Sequence, residues 1–201
     1  WPVGAREHRS LATGLRAGDP MRIAVLCTDQ GVRVPGDKGA SLHLLAVTRA
    51  FARLGHDVLL LGVAGHGAPP SDLTTHLLRH PGRAEGLVRE RNKLALTEHF
   101  VTEAGPVLAD FGPDVIYERL ALFGTAGQRL AAAAGARHVV EVNALLAQEE
   151  ATWRGLTLAE FAVEREQAVL AGADHIIAVS AEWAEGVRRL ADSEVPITVV
   201  P

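Results

Sequence analysis

Pro35-Gly36-Asp37-Lys38-Gly39-Ala40-Ser41-Leu42-His43 is the stretch on which the reading of this chain turns. It follows a short apolar run, Arg22 to Thr28 (RIAVLCT), of the type that forms a strand buried on both faces. It opens a segment, Ser41 to Leu54, in which Leu44, Val47, Phe51 and Leu54 recur at helical spacing with Leu45 beside them. Gly55 supplies a C-cap, and Asp57 leads into Val58-Leu59-Leu60-Leu61, a second strand. A strand, a helix and a strand of these lengths predict parallel pairing with a right-handed crossover. The turn at residues 35–41 then aims free backbone N–H groups and a helix N-terminus above the sheet, where phosphate is a natural ligand.

Outward from that unit the alternation continues. Residues 62–86 are rich in Gly, Pro and His, with a short helical piece expected around Leu73 to Leu78 and a third strand near Gly86 to Arg89. A long helix is expected over Asn92 to Asp110, a strand over Asp114 to Arg119, a helix over Leu122 to Ala134 and a strand over His138 to Asn143. Then come a helix over Leu158 to Leu170, a strand over His175 to Val179, a helix to Leu190 with Ser180 as N-cap, and a strand over Ile197 to Val200. Such a series predicts an α/β, Rossmann-like, doubly wound and mostly parallel sheet whose ligands sit at the carboxyl ends of its strands. Residues 1–20 lack a clean period and read as an extension or linker, so the expected domain is 21–201.

The bulk composition, with 48% hydrophobic and 22% charged residues, is that of a globular protein, and the net charge of −4 makes nucleic acid no default partner. The lone Cys27 lies inside the first apolar run and reads as a buried small hydrophobe. No apolar run has the length of a membrane span and no signal-peptide core is visible, which sets the expectation of a cytoplasmic protein, with peripheral membrane contact left open. Several catalytic signatures fail on chemistry. Gly31 and Gly36 have P-loop spacing, but Asp37 and Lys38 stand where Lys and Ser/Thr are needed. The first turn has no G-x-G-x-x-G, no HExxH accompanies His76 and His80, and G-x-S-x-G is absent.

Taken together, Lys38-Gly39-Ala40-Ser41-Leu42-His43, Gly55-His56-Asp57-Val58, Pro113 to Arg119 (PDVIYER), Glu141-Val142-Asn143-Ala144 with Glu149, and Ala173 to Ser180 (ADHIIAVS) resemble the amino-terminal, acceptor-side domain of GT-B glycosyltransferases of family 4. Lys38 replaces the first glycine of that family's glycine pair. The resemblance implies half of an enzyme, with a donor-binding carboxyl-terminal domain absent from this chain. It implies a retaining transfer from a nucleotide sugar to a glycan, lipid-linked or small-molecule acceptor, with no metal or other cofactor. Lys38, Gly39, Ala40 and Ser41 would then clamp the donor diphosphate, and His43, Glu118 and Glu149 would contact substrate. Arg119, Glu141 and Asn143 would form the catalytic rim. Bland readings stand beside these roles: a solvated Lys38, a packing His43, a Glu118–Arg119 salt bridge and a surface Glu149. Asn143 can orient a hydroxyl but cannot take up a proton. The basic segment Arg79, Arg83, Arg89, Arg91 and Lys93 reads as a solvated face or a contact for a phosphorylated or lipid-linked acceptor. The rival from another class is a non-catalytic Rossmann-like ligand-binding or regulatory module, and a GT-B-like sugar epimerase is a third reading.

Overall fold

The computed structural model describes residues 18–191 and 194–201, so the expected N-terminal extension lies almost wholly outside the described residues. Strand β1 (Arg22–Cys27) is buried from its second residue onward, as its apolar sequence requires. A two-residue strand β2 (Arg33–Val34) follows, then helix α1 (Gly39–Arg53) and β3 (Asp57–Ala64). After β4 (Thr74–Leu78) and the long α2 (Gly86–Phe111), the chain alternates through β5 (Val115–Arg119), α3 (Ala126–Ala134) and β6 (Arg137–Val142). Two helices, α4 (Leu146–Arg154) and α5 (Ala159–Ala171), precede β7 (His175–Ala178), and α6 (Ala181–Ala191) leads to β8 (Ile197–Val199).

All pairings are parallel. The sheet runs β4-β3-β1-β5-β6-β7-β8, with β2 continuing the line of β1 along the far end of β3. The chain first winds outward through α1, then returns to wind the other way, and the two halves diverge at β1. This is the arrangement that opens a crevice at the carboxyl ends of the strands. Helix α1 packs on one face, against Val25, Leu60 and Tyr117. Helices α2 and α3 cover Leu26, Leu61 and Ile116 on the other face. Residues of α5 and α6 cover Val140 and Ile176 there.

The doubly wound expectation holds, and the weak stretch resolves differently from its reading. Residues 74–78 are a strand: Thr74 and Thr75 are β-branched, and the segment pairs with β3 from Leu59↔Thr74 to Val63↔Leu78. Its leucines at 73, 77 and 78 mimic a helical stripe only by number. Residues 86–89, expected as a strand, are the first turn of α2. Leu54 sits at the C-cap of α1 and is 74% exposed, so it does not belong to the buried stripe. Helix α4 and strand β2 were not expected. Cys27 is free and buried, and burial pushes its thiol up to about 12.

Candidate active site

The site forms where α1 begins and where β5 and β6 end. Lys38 occupies the N-cap of α1 in an extended conformation and gives no side-chain cap. Its carbonyl accepts the N–H groups of Ser41, at 2.9 Å, and Leu42, at 3.0 Å. The amides of Gly39 and Ala40 precede these and fall among the orphan donors of a helix N-terminus. A Cβ built at Gly39 would meet nothing within 4 Å, so open space lies over this turn. Gly36 is the opposite case: a side chain there would meet the Arg33 carbonyl and the Ser41 hydroxyl, each 2.6 Å away. The turn is therefore folded tightly on its inner side and left free on its outer side.

Just over one helical turn further, His43 Nε2 lies 3.0 Å from Glu141 Oε1. Glu141 gathers three more donors. Arg119 Nη1 donates to Oε1 at 2.7 Å, the Tyr117 hydroxyl donates to Oε2 at 2.7 Å, and the Asn143 side-chain amide donates to Oε1. Strand alternation explains the convergence. Tyr117 and Arg119 point to the α1 face of β5, and Arg119 is paired in register with Glu141 on β6. The Glu141 side chain is 3% exposed, whereas that of His43 is 42% exposed, so the carboxylate is sealed beneath an accessible imidazole. Burial pushes the Glu141 carboxyl up, but hydrogen bonds from Tyr117, Asn143 and His43 outweigh it and hold the group below its ordinary range. Burial and the adjoining carboxylate push the Tyr117 phenol well above its usual value. Because an ionised Glu141 only accepts, the contact is a hydrogen bond donated by His43 Nε2.

Further pairs fasten the loops around this cluster, and three of them start on α2. Lys93 Nζ reaches Asp29 Oδ1, beyond β1, at 3.4 Å. Glu90 accepts the backbone N–H groups of Thr157 and Leu158 at 2.9 and 2.8 Å, which caps the entry to α5. Arg89 Nη2 lies 2.7 Å from Glu150 on α4. The expected basic segment is thus divided: Lys93 and Arg89 are neutralised inside the fold and do not form one solvated face.

The structure brings together four of the residues singled out from sequence, His43, Arg119, Glu141 and Asn143, with Lys38, Gly39 and Ala40 at the start of the helix that carries His43. Three do not join them. Ser41 is 1% exposed, and its hydroxyl accepts the Arg33 N–H at 3.1 Å, so it locks α1 to β2. Glu118 is 1% exposed on the opposite face of β5, where it meets His138 Nε2 at 2.8 Å and the Gly127 N–H at 3.1 Å. Its expected contact with substrate and its expected salt bridge with Arg119 are both replaced by this buried pair, because adjacent strand residues face opposite ways. Glu149 is exposed in the first turn of α4, clear of the hydrogen bonds around Glu141. Tyr117 is the member that sequence reading missed. Its one available signal was the two-residue offset from Arg119. Among the described residues no group of three or more His, Cys, Asp or Glu side chains is placed to hold a metal ion. No helix among them is long and apolar enough to cross a membrane.

The comparisons agree with this architecture. Sucrose-phosphate synthase from Thermosynechococcus elongatus superposes with a TM-score of 0.61 at 17% identity, over 90% of this chain and 48% of that one. The lipopolysaccharide outer core galactosyltransferase WaaB, in its apo form, gives 0.59 at 12% identity, over 89% and 45%. UDP-GlcNAc 2-epimerase from Methanocaldococcus jannaschii gives 0.57 at 13% identity, over 90% and 45%. The chain therefore spans less than half the length of these structures. No curated protein sequence matches it. The family model described as "Glycosyl transferase 4-like domain" matches residues 38–201, which includes the α1 turn and every member of the Glu141 cluster. The chain belongs to the glycosyl transferase 4-like family and has the fold of the amino-terminal domain of GT-B glycosyltransferases.

Proposed function

We propose that this chain is the acceptor-side lobe of a retaining glycosyltransferase that moves a sugar from a nucleotide sugar to a hydroxyl-bearing acceptor. The observation that carries the reading is the buried Glu141 carboxylate, which fixes an accessible His43 one turn beyond a helix N-terminus where a Cβ at the first residue, Gly39, would meet only open space. In the reaction the bond from the anomeric carbon to the diphosphate breaks and a bond to the acceptor oxygen forms. Negative charge grows on the leaving diphosphate, and the Gly39 and Ala40 amides with the Lys38 ammonium are placed to stabilise it. His43, held through Nε2 by Glu141, makes a hydrogen bond to a substrate hydroxyl. Arg119 supplies a fixed positive charge beside it, and Asn143 offers hydrogen bonds to hydroxyls. Glu141 acts as a positioning residue, since its oxygens already have four donors. A second, donor-binding domain completes the cleft, and the chemistry is assigned no metal.

The test uses the complete protein with the donor-side domain attached, a panel of nucleotide sugars and acceptors, and nucleotide release as readout. Acceptor-dependent release is expected, and His43→Ala should lower kcat/KM by about a hundredfold or more. Binding of nucleotide sugar with no turnover on any acceptor would favour a non-catalytic module. Conversion of the sugar without an acceptor would favour an epimerase.

A further inference from the structure

At the β4 end of the same rim, β2 and the loops leaving β1, β3 and β4 bring a second polar cluster together. Arg33 lies between two imidazoles, with Nη2 3.0 Å from His80 Nε2 and Nη1 3.4 Å from His66 Nε2. His80 Nδ1 accepts the Gly82 N–H at 2.9 Å, so the ring proton is on Nε2, the nitrogen facing the guanidinium. The ring N–H is spent on the Gln30 backbone carbonyl, so the donors left for a ligand here are those of the guanidinium. Among the described residues no carboxylate lies within 4 Å of Arg33, Lys38, Arg79 or Arg83, although the chain carries a net charge of −4. Beside them opens a cleft of about 500 Å³, lined by Gln30, Arg33, His80 and Arg83, with Glu85 its one acidic lining residue. The buried Gln30 Oε1 has no partner. A half-turn of that amide would present a further donor. Burial, then the Arg33 charge, holds His80 below its ordinary value, so an anion seated here would reverse the second effect.

A guanidinium fork without a carboxylate, flanked by imidazoles and a second arginine, matches the geometry and charge of a phosphate. We propose that this cleft is a phosphate subsite and, resting on the transferase reading above, that it receives a phosphate monoester on the acceptor. The donor diphosphate is the other source of the same chemistry, assigned above to the Gly39 turn.

The experiment titrates the 201-residue chain with inorganic phosphate, glucose 6-phosphate, glucose and UDP while the His66 and His80 imidazole signals are followed by NMR. Phosphate and glucose 6-phosphate should saturate and raise the His80 pKa, whereas glucose should do neither. Arg33→Gln and His80→Gln, each checked for an unchanged fold by thermal melting, should each weaken binding by about tenfold. Lys38→Ala should leave it within about twofold. Absence of saturation up to about 20 mM phosphate, or binding indifferent to Arg33→Gln, overturns the subsite. Competition by UDP that depends on Arg33 assigns the site to the donor and overturns the acceptor part. In the complete protein, Arg33→Gln should raise KM for phosphorylated acceptors about tenfold with kcat little changed. Transfer that is blind to acceptor phosphate sinks the subsite and leaves the transferase reading standing. Phosphate binding without transfer to any acceptor does the reverse.

Discussion

Glu141 shows how one residue sets the chemistry of its neighbours without reacting itself. Removing it would strand Arg119, whose side chain is 14% exposed, beside the Tyr117 hydroxyl. Glu141→Ala should therefore cost roughly 3 kcal/mol of stability in denaturant unfolding, the scale of a broken buried pair. Tyr117→Phe, which leaves Oε2 without its donor, should cost about 1 to 2 kcal/mol. The pH dependence has a definite sign. Since the folded carboxyl is held below its ordinary value, its contribution is complete above about pH 4.3 and is lost as pH falls through the lower folded value. Wild type should thus lose more stability on acidification below about pH 4 than Glu141→Gln does. At this scale the sequence spoke in part. Glu141 stood out as a carboxylate inside an apolar strand and Arg119 as a strand-end cation. A tyrosine among strand residues reads as core, and only the register that sets Tyr117 opposite Val139 shows that its hydroxyl reaches Glu141.

Helices in this fold serve as clamps on the rim as much as covers for the sheet. Helix α2 is about 39 Å long, and its first two turns carry Arg89, Glu90 and Lys93 to α4, to the start of α5 and to the loop after β1. Helix α5 repeats the device: Glu166 accepts the Leu146 and Ala147 N–H groups, at 2.7 and 3.3 Å, at the entry to α4. Burial pushes the Glu166 carboxyl up to about 7, against the two hydrogen bonds that lower it. A folded value raised above the unfolded one means that the folded state holds the extra proton between about pH 4.5 and 7, so stability falls as pH rises through that window. Thermal melting should show wild type losing up to about 3 kcal/mol across it relative to Glu166→Gln, which keeps an acceptor but not the charge. None of these clamps could be read from sequence, because each joins a side chain to backbone or charge 19 to 68 residues away. The alternation of strands and helices was legible because each buried strand is a compact apolar run. The Gly- and Pro-rich segment over 62–86 was not, since β4 lies at the sheet's edge, where only Leu78 is buried.

The molecule as a whole is asymmetric in a way that bears on its activity. Among the described helices, α1 alone packs on its face of the sheet, while α2, α3, α5 and α6 share the other. The rim carrying Gly39, His43 and the phosphate-seeking cluster faces outward, with nothing among the described residues to close over a diphosphate. An oxyanion clamp gains its strength from excluding water and fixing donors around the developing charge, and a single open lobe does neither. On the proposed reading, nucleotide release by the 201-residue chain alone should stay below about a thousandth of that by the complete protein under the same conditions. The charge stabilisation assigned to the Lys38 ammonium and the Gly39 and Ala40 amides needs no divalent cation, so EDTA should leave turnover by the complete protein unchanged. Loss of turnover in EDTA that returns with a divalent ion would transfer that role to a metal. Lys38→Ala should then have little effect on kcat, where the amide-and-ammonium clamp predicts a fall of about tenfold or more.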